Sequence, residues 1–198
     1  MKTQIREDLL YRLRWNLVAP LHDIEIAIGP KNEEKLVSLF EHPCVEANIS
    51  VPSLRHLEVM SDDMWRSHEA WHHGDDSPEP DCACKPPPNL VIENADGRPV
   101  TLGQFVTQVH AYLNEHMVQV KRAMTMFQNV IPGEAIPLFQ RAWNRGTRDP
   151  DVLLSVYLTL ERDGEVMEEH WAKQLDFARR YEDGRFGDVC NATSGRDA

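Results

Sequence analysis

The residues best suited to chemistry are His68, Glu69 and His72, in the run His68-Glu69-Ala70-Trp71-His72. On a helix, two histidines four positions apart share a face and can both bind zinc. The glutamate between them would then activate a metal-bound water for hydrolysis. A third ligand must come from elsewhere; by residue type Glu115, His116, Glu168, Glu169 and His170 are eligible. A second arrangement adds His73, Cys82 and Cys84, because two histidines of one helix and a Cys-x-Cys pair can close a tetrahedral structural zinc site. Such a site would staple a loop that has no core of its own.

Zinc peptidases carry the same H-E-x-x-H, and the segment resembles theirs in that motif. It departs from them in its surroundings. Arg66, Ser67, Gly74, Asp75 and Asp76 flank it where a buried motif helix has apolar residues, and no histidine follows Gly74 to complete the extended form. The competing expectation is a polar surface helix with incidental histidines. A different centre is offered by His116, which falls where the helical period demands an apolar residue. With Tyr112 one turn before it, and Tyr157 or Asp23 from elsewhere, it could do metal-free acid-base work on a small molecule, as an isomerase or cyclase of secondary metabolism does. The competing expectation is a neutral core histidine with one hydrogen bond. His110, at the flank of the stripe, reads as a boundary residue. Glu168, Glu169 and His170 read as first-turn capping of a helix. Phosphate-binding loops, dinucleotide fingerprints, G-x-S-x-G and C-x-x-C are absent from the sequence.

The elements that must position these groups are legible from periodicity. Thr101 with Gln104 forms a capping box, and Val100 with Phe105 a hydrophobic staple. From Leu102 to Phe127 apolar residues recur every three or four positions, which predicts one long helix over 101–127. Gly103 in its first turn is the one residue against it. Asn94-Ala95-Asp96-Gly97 predicts a turn, and Leu90-Val91-Ile92 a short buried strand. Upstream, the spacing predicts a helix over 3–17, a strand around Ile24, Ile26 and Ile28, a short helix over 31–41, and two strands between Val45 and Met60 split by Pro52. Ser61 or Asp62 would cap a helix of about three turns that carries His68 and His72. Downstream, a short helix is expected over 138–145, a central strand over 152–160, and a helix over 168–181 burying Trp171, Leu175, Ala178 and Tyr181. Leu90–Phe105 and Leu158–Trp171 share a strand, Asp-Gly, helix plan, an internal echo that suits a mixed sheet with helices on one face.

The order of that strand, a short turn, a P-V-T-L-x-x-F-V-x-x-V-H-x-Y-L helix, then F-x-R-A-W and a late strand resembles a family of small uncharacterised fungal domains, over roughly residues 43–165. The resemblance implies a fold and a fungal-like origin and brings no activity or site residues with it. Relative to that pattern, 61–88 looks like an insertion.

Composition sets the outer limits. A chain of 198 residues with 41% hydrophobic and 27% charged residues can bury one substantial core. A net charge of -11 argues against unassisted binding to nucleic-acid backbones or anionic membranes. The best local basic patch is Arg141, Arg145 and Arg148, expected at the end of a surface helix. No apolar run reaches the length of a membrane span, the first residues lack a clean apolar leader core, and four cysteines do not make a disulfide framework in a chain this size. These features point to a cytoplasmic protein. The expected architecture is a single α+β domain over 1–187: a small mixed or antiparallel sheet packed against the long amphipathic helix and the C-terminal helix. A Pro/acid-rich loop insertion at about 74–89 and a polar tail over 188–198 complete it. The leading functional expectation is a non-catalytic module that binds a protein or small ligand. The alternative is a small enzyme, zinc-dependent through His68, Glu69 and His72 or metal-free around His116.

Overall fold

The computed structural model describes residues 3–73, 85–128, 135–148, 151–161 and 164–182. The fold is α+β, and its centre is a mixed four-stranded sheet in the order β7-β6-β9-β8, formed by β6 (His56–Ser61), β7 (Leu90–Glu93), β8 (Ile136–Arg148) and β9 (Asp151–Glu161). β6 runs parallel to β9, with Ser61 opposite Val156, while β7 and β8 are antiparallel to their neighbours. β9 is buried along most of its length, which explains its run of leucine and β-branched residues.

The N-terminal region departs from the helix expected over 3–17. It forms a two-residue strand β1 (Gln4–Ile5), one helical turn α1 (Glu7–Leu10) and a strand β2 (Leu13–Arg14). The apolar spacing from Leu9 onward changes from helical to alternating: Leu13, Trp15 and Leu17 are all buried, two apart. Leu13 pairs with Ile26 in β3 (Glu25–Ile28), and Trp15 and Leu17 bond to Phe139 and Pro137 of β8. The fully buried Trp15 ring stacks on Phe139 at 5.0 Å and meets Phe105 edge-on. Residues 31–41 likewise do not form one helix; only Leu39–Glu41 is helical, as a single 3-10 turn. β4 (Lys35–Ser38) folds back on β3 as a hairpin, and Gly29 (φ 102°) and Asn32 (φ 68°) supply the left-handed turn residues. The strand expected over Val45–Val51 is reduced to β5 (Ser50–Val51), preceded by a 3-10 turn over Pro43–Glu46.

The expected helix over 138–145 is instead the middle of β8. Phe139 and Ala142 are both buried although three residues apart. A bulge between Phe139 and Arg141 inserts one residue and shifts the strand's parity, so an irregular strand mimics helical spacing.

The helix expected over 101–127 is two helices, α3 (Leu102–Glu115) and α4 (Met117–Gln128), broken at His116. Thr101 caps α3 by accepting from the Gln104 amide at 3.2 Å. The Gln104 side chain does not complete the capping box; it exchanges hydrogen bonds with Asn94 and so pins the 94–97 turn to the helix. Gly103 is favoured by close packing, since a Cβ there would clash with the Val45 side chain and press on its carbonyl oxygen. α3 packs on β7, α4 on β9 and on α2 (Asp62–His73), and α5 (Gly164–Glu182) on α1. In α5 the buried stripe is carried by Gln174 and Ala178, with Trp171, Leu175 and Tyr181 only half-buried. The two strand-to-helix units of the internal echo sit differently in the sheet. β7 and β9 run in opposite directions relative to β6, and α5 starts three residues after β9 whereas α3 starts nine after β7.

Candidate functional site

β6 passes directly into α2 at the C-terminal end of the parallel pair. Ser61 marks the junction: its Oγ accepts from the Met64 amide at 3.4 Å, the expected cap. Beside this junction lies a cavity of about 560 Å³, lined by Met60, Ser61, Met64, Trp65, Tyr112, Asn89 and the run Lys85-Pro86-Pro87-Pro88. The Tyr112 phenol donates to the Pro88 carbonyl at 3.2 Å and so ties the proline wall to α3. Burial raises the pKa of that phenol, which keeps it a neutral donor. Thioethers, rings and pyrrolidines form the walls; a hydroxyl, an amide and an ammonium are the polar groups. A volume of this size is within the range of small-molecule sites, about 300–1,000 Å³.

The opposite side of the junction is polar and closed. Asp62 is fully buried, and its Oδ1 accepts from Arg145 Nη2 and from Ser155 Oγ, both at 3.0 Å. The Arg145 guanidinium lies over the Trp65 ring, 4.6 Å from its centre, so one tryptophan serves both the cavity and this ion pair. Asp63 Oδ2 accepts from the Leu158 amide at 3.3 Å. β6 ends opposite Val156, and the carboxylate takes over as acceptor for β9 where the strand stops. Burial, with the neighbouring Asp62 charge, raises the Asp63 pKa to about 6 against the opposing pull of the Leu158 hydrogen bond. Tyr157 is raised as well, by burial first and then by the Asp62 carboxylate beside it.

Among the described residues, those expected to do chemistry lie in separate places. Tyr112 lines the cavity, whereas His116 caps α3, is half-buried, and meets the Tyr112 ring edge-on at 5.1 Å. The two touch as rings, and the phenol O–H donates to the Pro88 carbonyl. Asp23 sits in an exposed turn beside His22. His68 and Glu69 are half-buried on α2. The side chain of His72, together with Cys82 and Cys84, lies outside the described residues, as do most of the loop insertion and the tail. Among the described residues no group of three or more His, Cys, Asp or Glu side chains could hold a metal ion. Of the eligible third ligands, Glu168 pairs with Arg14, Glu169 with Lys173, and His170 lies against the Phe139 carbonyl with its pKa lowered by burial. His110 is more than a boundary residue. Its Nδ1 accepts from Trp15 Nε1 at 3.1 Å, and burial lowers its pKa, so it is a neutral acceptor for the central tryptophan. Cys44 is buried, and its backbone amide donates to His42 Nδ1 at 3.2 Å.

Sequence reasoning missed the cavity and the buried carboxylates. The signal was present in Ser61-Asp62-Asp63 directly after an apolar strand, but acids there also describe an ordinary first turn. No helix among the described residues is long and apolar enough to cross a membrane. Comparison with protein-family models, curated proteins and solved structures found no match.

Proposed function

We propose that this chain is a non-catalytic binding module whose ligand is a small, mainly apolar or aromatic molecule held between α2, α3 and the Pro86–Pro88 wall. The observation that carries this reading is the cavity of about 560 Å³ faced by Met60, Met64, Trp65 and Tyr112. Flat rings and flexible thioethers suit an aromatic guest without dictating its outline. Ser61, Asn89 and Lys85 offer a few polar anchors, which is the usual balance in such sites. A binding role is favoured over catalysis because the acids and the phenol nearby already hold hydrogen-bond partners: Asp62 Oδ1 accepts from Arg145 and Ser155, Asp63 accepts from Leu158, and Tyr112 donates to Pro88, while Lys85 lines the cavity as a polar anchor.

Saturation-transfer NMR with a panel of one- and two-ring aromatic fragments tests the proposal. Fragments of about ten heavy atoms at about 0.3 kcal/mol per atom bind in the millimolar range, which this measurement detects. Asn89→Trp, at an exposed position on the rim, fills the cavity and is expected to abolish the signal with the unfolding midpoint unchanged. Equal signals from the variant and the wild type would rule this cavity out as the site.

A further inference from the structure

A second surface, independent of the cavity, is carried by Arg141. It projects from β8 with Tyr157 of β9 opposite it, and its guanidinium carbon lies 4.5 Å from the centre of the Tyr157 ring and 5.8 Å from that of Trp143. The two rings hold the guanidinium in place. Its Nε–H is buried without an acceptor, and its charge has no carboxylate partner among the described residues. That is unusual in a chain with 32 acidic and 21 basic side chains, where acids are in excess. Trp143 is half-exposed beside it.

We infer that Arg141, Trp143 and Tyr157 form a docking surface for an acidic segment of a partner protein, with a partner carboxylate on the Arg141 guanidinium and an apolar neighbour on the Trp143 ring. Three observations support it. The charge is complementary: among the described residues no carboxylate answers the Arg141 guanidinium, whereas Arg145, four positions along the same strand, is met by Asp62. Arginine, tryptophan and tyrosine are the side chains that most often dominate protein interfaces, because they bring area and charge at low entropic cost. Trp143 is half-exposed on β8, the edge strand of the central sheet, and a sheet edge suits a protein segment better than a small molecule, which needs a concave site.

Fluorescence anisotropy of a labelled short peptide of alternating Glu and Leu, titrated with the full chain at low salt, tests the inference. The wild type is expected to bind it and to ignore the counterpart with Lys for Glu. Arg141→Gln is expected to weaken binding roughly tenfold or more, and Trp143→Ala several-fold. Should Arg141→Gln unfold, Trp143→Ala decides, since it removes only a half-exposed ring. Wild-type affinity in both variants, or equal binding of the Lys peptide, overturns the inference. So does displacement by inorganic phosphate beyond that by chloride at equal ionic strength, which would make this a small-anion site.

Discussion

Arg145 and Arg141 leave the same strand four residues apart, and the surrounding residues treat them in opposite ways. Arg145 is answered by the fully buried Asp62, by the Trp65 ring and, through Asp62, by Ser155. Arg141 is held between two rings and answered by no acid among the described residues. The difference separates a charge that belongs to the architecture from one that is left available. The first ties the β6–α2 junction to β8 and β9; removing either partner strands a desolvated group. The second adds little to the fold and keeps its Coulomb energy for something outside it.

The largest expected effect tests the first half of that contrast. Asp62→Ala leaves Ser155 without its acceptor and Arg145 without its counter-charge, and a broken buried pair costs about 3–5 kcal/mol. Arg145 is partly exposed, so water recovers some of that and the lower end, about 3 kcal/mol, is expected. Urea unfolding measures it. A loss under about 1 kcal/mol would mean that Asp62 and Arg145 are no more architectural than Arg141.

Next in size is the pH dependence of Asp63. Its folded pKa is raised to about 6, above the ordinary value of 3.8, so the folded state holds the proton more tightly than the unfolded chain. The stability it contributes is fully present below about pH 4 and is lost as pH rises through 6. Two pKa units correspond to about 3 kcal/mol at most. Asp63→Asn keeps an acceptor for the Leu158 amide and removes the charge. Its unfolding free energy is expected to match the wild type near pH 4 and to exceed it by up to about 3 kcal/mol at pH 7.5. Taking the difference between the two proteins cancels groups of opposite sign such as Glu34, whose pKa is lowered because its own backbone amide and Arg179 outweigh its burial. An unchanged difference across that range would show that Asp63 is hydrated.

How much of this was legible in the sequence follows from what each residue type can report. The α+β class, β7, β9, the Thr101 cap and the helix from Asp62 were readable because hydrophobic period and capping chemistry are local. β8 was not, because a bulge at Phe139–Arg141 converts strand parity into helical spacing. A histidine at position 116 suits both a buried anomaly in one long helix and a helix end, and only the fold shows it to be the end of α3. The spacing of Arg141, Arg145 and Arg148 suits a helix end as well as a strand. Only the pairing of β8 with β9 and the approach of Asp62 reveal that one of these arginines is neutralised and another meets no acid among the described residues. Asp62 and Asp63 have the letters of a helix first turn, and burial, which changes their chemistry, is a property of the packed fold.

The smallest expected effect closes the contrast from the other side. Two cation–π contacts near the surface contribute about 0.5 kcal/mol each, so Arg141→Ala is expected to lower stability by about 1 kcal/mol or less, against about 3 for Arg145→Ala. A double-mutant cycle with Trp143→Ala isolates the ring contact, for which a coupling of about 0.5 kcal/mol is expected. The decisive quantity is the ratio between stability lost and peptide affinity lost. An architectural arginine loses both together when the fold loosens. Arg141→Ala should lose affinity while its unfolding midpoint stays close to that of the wild type. A cost as large as that of Arg145→Ala would place both arginines in the framework and leave this face without a free charge to offer a partner.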